Sequence, residues 1–186
     1  MSLLIIYAHP YEKSFNQAIL SRVSENLERQ GSSFELIDLY KEQFDPRYTA
    51  AELRLYATGA SEDKKIAHYQ ELIMNCSEII FICPIWWNDL PGILKGFIDK
   101  AMKKNFAYES TSTGVKGKLT HIKQAKIITT SISPTWYIRL FAGNAIKSVF
   151  LKATLKQIGI KHSKWINLGS IDKLTDQRRK VFLNSL

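Results

Sequence analysis

Three short stretches of this 186-residue chain combine polar, aromatic and proline residues that could bind a small molecule. The first begins at His9 and reaches Ser14 and Asn16, where a helix is predicted to start. Unpaired backbone N–H groups and the positive end of the helix dipole make such a start a site for phosphate. Ser14 and Asn16 could add hydrogen bonds, and His9 or Lys13 could add positive charge. The alternative is that Ser14 only caps the helix and that His9 is a structural histidine.

The second stretch places two tryptophans in a loop that reads Pro84-Ile85-Trp86-Trp87-Asn88-Asp89-Leu90-Pro91-Gly92. Large aromatic side chains on a loop are unfavourable unless a ligand or a partner covers them. A flat aromatic wall with backbone N–H groups beside it suits the isoalloxazine ring of a flavin. In an extended chain Trp86 and Trp87 point in different directions, so we expect one to face the ring and the other the core. Ordinary packing or an oligomer contact is the alternative.

The third stretch supplies hydroxyl groups and backbone donors, and it reads Thr129-Thr130-Ser131-Ile132-Ser133-Pro134-Thr135-Trp136-Tyr137. Tyr137 is the candidate catalytic residue, because a phenol can donate a hydrogen bond or a proton where charge develops on a reduced flavin. The alternative for Tyr137 is a hydrogen-bonded tyrosine of the core or of an interface.

Buried strands and amphipathic helices alternate along the rest of the chain and must position these stretches. Continuous apolar runs at 3–8 and 79–83 are typical of parallel strands that are covered on both faces. The alternating run at 34–39 is typical of an edge strand. Two further strands are predicted at 125–130 and about 164–168. Helices are predicted from Ser14 to Gly31, over 62–75, from Pro91 to Ala101, over 145–158 and from Thr175, and residues 40–60 are predicted to form a loop with a short helix.

Five strands that alternate with helices predict an α/β fold, a doubly wound sheet of five parallel strands with helices on both faces. Right-handed crossovers and the length favour the flavodoxin-like strand order 2-1-3-4-5. In such a sheet the ligand lies outside the carboxyl ends of the strands, and the three stretches follow the first, third and fourth strands. We expect one flavin-binding domain over 1–186, with an excursion at about 105–124.

The composition limits the classes of protein that this chain can belong to. The formal net charge of +9 calls for an anionic partner, and a phosphorylated cofactor, nucleic acid and a membrane surface are the candidates. The lysines are dispersed, which favours a solvated basic surface and no nucleic-acid binding. No apolar run approaches the roughly 20 residues of a membrane span, and no basic leader precedes the first strand. Cys76 and Cys83 fit buried positions in a reducing compartment, so we expect a cytoplasmic protein.

Two other chemistries find no support in the sequence. The four histidines lack the spacing of metal ligands, so we expect no metal site. A G-x-S-x-G elbow, which would indicate a hydrolase of this architecture, is also missing.

In these stretches the sequence resembles the NAD(P)H:quinone oxidoreductase family. The matching segments are Ala8-His9-Pro10 with Ser14-Phe15-Asn16, the long run from Pro84 to Asp99, Phe106-Ala107-Tyr108, and Thr129-Thr130 followed by Tyr137. The resemblance implies contacts to the flavin phosphate from His9, Ser14, Phe15 and Asn16. It implies contacts to the isoalloxazine ring from Pro84, Ile85, Trp86, Trp87, Asn88, Thr129, Thr130, Ser131 and Ser133.

The resemblance also implies the cofactors, the reaction and the assembly. FMN is favoured over FAD because the chain is similar to the short bacterial members, and NAD(P)H is the electron donor. Hydride passes from the nicotinamide to the flavin and then as two electrons to a quinone, azo or nitro acceptor in the same pocket. The family forms homodimers in which the partner chain completes each active site, so the excursion at 105–124 is a plausible dimer arm.

This sequence departs from the family pattern at two places near Tyr137. Ser131-Ile132-Ser133-Pro134 replaces a glycine-rich stretch, and Gly143 stands where better-studied members carry a histidine. Arg139 is a candidate to stabilise the reduced flavin instead. Two other functions stay open: a flavin-binding regulatory or ancillary subunit of a membrane transport system, and a one-electron carrier. The sequence pI of about 9.5 argues against the carrier.

Overall fold

The computed structural model describes residues 2–186 and contains a parallel sheet of five strands. Its strands are β1 (Ser2–Tyr7), β2 (Phe34–Asp38), β3 (Cys76–Pro84), β6 (Gln124–Thr130) and β7 (Ser163–Leu168). Counted among these five, the order is 2-1-3-4-5, which confirms the predicted flavodoxin-like topology. The edge position predicted for the second strand is confirmed as well.

Within residues 2–186 seven helices surround the sheet, and the one at Ile146–Leu155 has π-type rather than α-type hydrogen bonding. They are α1 (Phe15–Arg29), α2 (Ala50–Arg54), α3 (Lys64–Asn75), α4 (Gly92–Ala101), α5 (Thr135–Leu140), α6 (Ile146–Leu155) and α7 (Asp176–Asn184). Short 3₁₀ turns add Tyr56–Thr58 and Ile171–Lys173. The short helix expected within 40–60 is α2, whereas α5, which carries Tyr137, was not predicted.

Alternation along the central strands divides the core between the two faces of the sheet. Ile5, Ile80 and Ile128 face α1 and α7, while Ile6 and Phe81 belong to the larger cluster on the opposite face. All of them are buried, and burial of one such side chain contributes about 1.5–3 kcal/mol. The sheet is therefore a rigid base for the loops at its carboxyl edge.

Ser14 is the N-cap of α1, and the pattern Ser14-x-x-Gln17, which is typical of a capping box, forms only half of one. The Ser14 hydroxyl accepts the N–H of Gln17 at 3.2 Å. The backbone N–H of Ser14 is bonded to the carbonyl of Tyr11 at 3.0 Å, so the Gln17 side chain does not complete the box. A full capping box forms instead at α2, between Thr49 and Glu52.

The excursion at 105–124 contains an antiparallel hairpin of β4 (Tyr108–Thr111) and β5 (Gly114–Gly117) that stands apart from the main sheet. These strands have only four residues each and are largely exposed. Their sequences therefore lack the apolar pattern from which a strand could have been predicted. The hairpin therefore leaves its surface available for a partner.

Cys76 and Cys83 are free and buried, as expected. Burial raises the pKa of the Cys76 thiol to about 11 and also raises the pKa of Cys83. Both thiols therefore stay protonated and unreactive near neutral pH. Between residues 2 and 186 no helix is long and apolar enough to cross a bilayer.

Candidate active site

The second and third stretches meet at the carboxyl edge of the sheet and form one cleft. Its volume is about 590 Å³, which is in the range of small-molecule sites. The lining residues are Ile85, Trp86, Trp87, Asn88, Ser131, Ile132, Ser133, Tyr137 and Ile138. The two stretches are joined by the backbone N–H of Ile85, which donates to the Thr130 carbonyl at 2.8 Å. We call this space the ring cleft.

A tight turn forms the tryptophan wall of the ring cleft. Trp86 and Asp89 exchange two backbone hydrogen bonds of 3.1 Å, and the corner residues Trp87 and Asn88 have φ values of 49° and 66°. A left-handed conformation costs a non-glycine residue about 1–2 kcal/mol. Trp87 is nevertheless 98% exposed, so packing within the chain does not offset this cost.

The expectation that one of the tryptophans faces the core is wrong. Trp86 lies on the surface with its ring 6.2 Å from the ring of His9, and Trp87 projects into solvent. Both side chains point outward because the backbone at Trp87 and Asn88 is left-handed, not extended as the prediction assumed. Both indoles are therefore available at the rim of the ring cleft.

Side-chain hydrogen bonds hold the opposite wall, which follows β6. The Ser131 hydroxyl donates to the Ser133 carbonyl at 2.7 Å. The amide of Asn167, in β7, donates to the Ser131 hydroxyl at 3.0 Å and to the Thr135 hydroxyl at 2.8 Å. A Cβ added to Gly169 would lie 2.5 Å from the Thr135 nitrogen, so β7 and the start of α5 are in close contact. This wall is fixed in place.

The side chains of the paired threonines do not line the ring cleft, and only Thr129 belongs to the Asn167 network. The Thr129 hydroxyl donates to the Asn167 side-chain oxygen at 2.7 Å and accepts the indole N–H of Trp165 at 2.8 Å. The Thr130 hydroxyl accepts the amide of Asn16 at 2.9 Å. Because the Thr129 and Thr130 side chains are buried, the contacts predicted for these two residues are limited to their backbone groups, whereas the Asn16 side chain still has its Oδ1 to offer.

Asn167 and Trp165 are functional candidates that the sequence analysis missed. Asn167 interrupts an apolar strand that reads Trp165-Ile166-Asn167-Leu168. A polar side chain in a strand beside the predicted site was the signal that could have identified it.

The first stretch lies beside the ring cleft and presents the start of α1. The backbone N–H of Tyr11 donates to Nδ1 of His9 at 3.1 Å, which leaves the proton on Nε2 and directs it outward. Burial lowers the pKa of His9. The imidazole is therefore neutral near pH 7 and acts as a hydrogen-bond donor.

The side chain of Phe15 does not reach this loop. It packs against Phe182 of α7, with 6.3 Å between the ring centroids. Only the backbone N–H of Phe15 can take part in the predicted phosphate contact. Pro84 is likewise buried at the end of β3, so Ile85 is the first residue of that segment to line the cleft.

Tyr137 lines the ring cleft from the first turn of α5. Its ring stacks on Phe141 at 6.1 Å and 22°, and Trp136 meets it edge-on at 6.1 Å. Arg139 lies elsewhere, with its guanidinium carbon 5.1 Å from the centroid of the Trp165 ring. Arg139 therefore does not line the cleft, and its suggested contact with a reduced flavin finds no support in the structure.

The residues present fit a flavin mononucleotide moiety. The cleft has aromatic rims and hydroxyl groups along one wall, as an isoalloxazine ring needs. The start of α1 and Nε2 of His9 offer donors to a phosphate. Oδ1 of Asn16, a buried polar atom beside this loop, has no hydrogen-bond partner among the described residues, and such atoms call for a ligand or an ordered water.

Comparison with known proteins gives a consistent result. The model of a family described as "Flavodoxin-like fold" matches residues 1–183. An uncharacterized NAD(P)H oxidoreductase of Haemophilus influenzae is 27% identical over 98% of this chain and 91% of its own length. Smu.1420 of Streptococcus mutans UA159 is 35% identical, with a TM-score of 0.88 over 100% of this chain and 96% of that one. An NAD(P)H:quinone oxidoreductase of Methanothermobacter marburgensis is 25% identical, with a TM-score of 0.89 over 100% and 94%.

Longer relatives match over part of their length. The ribosyldihydronicotinamide dehydrogenase (quinone) of Pongo abelii is 29% identical over 58% of this chain, which is about half (53%) of its own length. An FMN-dependent NADH-azoreductase of Bacillus anthracis, solved in complex with FMN, has a TM-score of 0.75 over 99% of this chain and 94% of its own. At 18% identity this last likeness concerns the fold alone.

Proposed function

This chain belongs to the family of the flavodoxin-like fold, and we propose that it is a flavin-dependent NAD(P)H oxidoreductase that reduces quinone-like acceptors. The observation that carries the proposal is the ring cleft, which is rimmed by aromatic side chains and lies beside the start of α1 at the carboxyl edge of the sheet. The names of the relatives from Haemophilus influenzae and Methanothermobacter marburgensis support the same reaction class.

The flavin would be held by groups of three loops. His9 Nε2, the Ser14 hydroxyl and the first backbone N–H groups of α1 would bind its phosphate. Ile85, Trp86 and Asn88 would contact the ring from one side, and the segment from Ser131 to Ser133 from the other. The neutral imidazole of His9 donates one hydrogen bond without adding a charge.

A bound flavin supplies two-electron chemistry, because it takes hydride from NAD(P)H and passes the reducing equivalent to an acceptor. Tyr137 would donate a hydrogen bond or a proton from its hydroxyl to the flavin or the acceptor. The Asn167 network would keep Ser131 and Ser133 in place, so that their donors need no reorganisation during the reaction. Trp87 at the rim would restrict the entry of water once a ligand lies against it.

A second copy of this chain would complete the site. Helix α5 and its neighbourhood expose Ile132, Trp136, Leu140, Phe141 and Val149, each by more than half. Contiguous apolar surface of this kind beside a cleft marks an interface. The hairpin of β4 and β5 is the proposed arm of a homodimer, and we keep a cytoplasmic location as a prediction.

Spectroscopy of the purified protein tests the proposal. We expect a bound flavin, FMN or FAD, that is bleached by NADH or NADPH under anaerobic conditions and recovers its colour with a quinone. An azo dye and a nitro compound, tested in parallel, would rank the acceptors. A protein that takes up neither FMN nor FAD after reconstitution would contradict the proposal.

A further inference from the structure

A cleft at the amino edge of the sheet lies at the opposite end of the strands from the ring cleft. Its volume is about 450 Å³, which is within the range of small-molecule sites. The C-terminal half of α1 forms one side, and residues of β1, β3, β6 and β7 form the floor. We call this space the amino-edge cleft.

The floor of the amino-edge cleft is apolar. Alternate residues of each strand point to the face of the sheet that carries α1, and they supply most of the floor: Leu3, Ile80, Ile128 and Ile166. Leu27 of α1 lies at the side. Because Leu27 and Ile166 are only partly buried by the chain, a ligand placed here would remove further apolar surface from water. The floor therefore favours the binding of a hydrocarbon chain.

Two lysines lie side by side at the rim of the amino-edge cleft. Lys126 of β6 and Lys164 of β7 are register partners in neighbouring parallel strands. Their side chains leave the same face of the sheet, and their Cα atoms are about 5 Å apart. Among residues 2–186 neither ammonium group has a hydrogen bond or an ion pair. Like charges in such positions repel each other, so an anionic group between the two lysines would remove an unfavourable interaction.

The other charges of the cleft do not neutralise these two lysines. Lys123 also lines the cleft, and Glu78 is the one acidic side chain among the described lining residues. The cleft therefore has a surplus of positive charge above an apolar floor. A phosphate ion would leave the floor in contact with water, and an uncharged lipid would leave Lys126 and Lys164 facing each other. A ligand that satisfies both features has a hydrocarbon chain and one anionic end.

We propose that the amino-edge cleft binds a free aliphatic carboxylate, with its hydrocarbon chain on the floor and its carboxylate between Lys126 and Lys164. This inference does not rest on the proposed flavin function, because the two clefts lie at opposite edges of the sheet. An anionic phospholipid presents the same combination of charge and hydrocarbon at a bilayer surface, so the test includes vesicles.

Isothermal titration calorimetry of the purified protein with octanoate tests the proposal. Octanol lacks the charge and acetate lacks the chain, and we expect each to bind at least about tenfold more weakly than octanoate. Hexanoate should also bind more weakly, by at most about fourfold for each methylene removed, because burial of one CH₂ contributes about 0.8 kcal/mol.

Lys126→Gln and Lys164→Gln should each weaken octanoate binding by about three- to tenfold, between the effects of an exposed ion pair and of a hydrogen bond to a charged group. Binding of octanol should stay unchanged. Neither substitution should lower the unfolding temperature, because each removes one of two charges that repel each other. Lys152→Gln is the matched control, since Lys152 is an exposed lysine of α6 on the other face of the sheet, and it should bind octanoate like the wild type.

Equal affinities for octanoate and octanol would overturn the inference, as would unaltered octanoate binding in the double variant Lys126→Gln Lys164→Gln. Binding to phosphatidylglycerol vesicles that the double variant loses, without any binding of octanoate, would also overturn it and would assign the lysines to a membrane surface. Titration of the same variants with FMN and FAD keeps the two proposals apart, because flavin affinity should equal that of the wild type. Octanoate binding in a protein that takes up no flavin would contradict the proposed function alone.

Discussion

The two walls of the ring cleft are built in opposite ways. Behind β6, side chains are bonded to side chains: Asn167 holds Ser131, Thr129 and Thr135, and Trp165 is bonded to Thr129. Behind β3, the wall is a backbone turn whose large side chains have few contacts within the chain. One wall is therefore preorganised by the protein, whereas the other has exposed aromatic rings whose positions a ligand or a second copy would determine.

This difference assigns separate tasks to the two walls. A fixed wall suits the polar edge of a bound ring, where donors must already point in the correct direction. An aromatic wall whose rings are exposed suits acceptors of different shapes, which must enter and leave. Substitutions in the fixed wall should therefore lower both the stability and the reaction rate. Substitutions in the aromatic wall should weaken ligand binding without lowering the stability.

Asn167→Leu should have the largest effect, because it leaves the Ser131, Thr135 and Thr129 hydroxyls without their bonds to Asn167. We expect the free energy of unfolding, measured in urea, to fall by about 2–4 kcal/mol. The exposed Asn184 in α7 provides the control. Asn184→Leu should change the free energy of unfolding by less than about 0.5 kcal/mol. Equal effects of the two substitutions would show that the network does not stabilise the wall.

Tyr137→Phe should slow one half-reaction by about ten- to a hundredfold, since it removes only the proposed proton donor. Stopped-flow absorbance of reduction by NAD(P)H and of reoxidation by a quinone would separate the two steps. Flavin should stay bound, because the ring of residue 137 keeps its stacking on Phe141. Tyr56, which is outside the ring cleft, is the matched control. Unchanged rates in both half-reactions would remove Tyr137 from the mechanism.

Trp87→Gly should raise the free energy of unfolding by about 0.5–1 kcal/mol, because glycine adopts the left-handed φ of 49° without strain. The same substitution should weaken flavin binding, which a fluorescence titration would measure. Asn88→Gly is the control: it has the same backbone conformation but removes no aromatic ring. If Trp87→Gly lowers stability, the left-handed turn is not strained and the contrast between the walls is weaker.

His9 should give the smallest effect, a pH dependence of stability. Its pKa in the folded protein is lowered, mainly by burial, so the unfolded chain binds the proton more readily. The contribution of His9 is therefore complete above its ordinary pKa, near 6.5, and is lost as the pH falls below it. Urea midpoints at pH 8 and pH 5 should differ less in His9→Asn than in the wild type. His162→Asn, at an exposed histidine, is the control and should keep the wild-type difference between the two midpoints. If His9→Asn also kept it, His9 would not be the source of the pH dependence.

The sequence patterns predicted the sheet and most helices because burial determines them directly. Continuous apolar runs such as 79–83 marked the central strands, and the alternation at 34–39 marked the edge. Helix α5 was missed because its six residues begin just after Pro134 and expose three large hydrophobic side chains, those of Trp136, Tyr137 and Leu140. These side chains can be buried only by a partner or a ligand, and the local sequence does not reveal either.

For the site, the sequence predicted which loops meet but not which atoms face the cleft. Ser131, Ser133 and Tyr137 line it, whereas the side chains of Asn16 in α1 and Thr130 in β6 are bonded to each other. That bond joins residues 114 positions apart in the chain, so only the folded topology reveals it.

The central claim is that the ring cleft binds a flavin that NAD(P)H reduces. The most direct test is the visible spectrum of the protein reconstituted with FMN or FAD, recorded before and after anaerobic addition of NADH or NADPH and then of a quinone. We predict a bound flavin spectrum that bleaches with the nicotinamide and returns with the quinone. A protein that binds no flavin, or binds one that neither nucleotide reduces, would contradict the account.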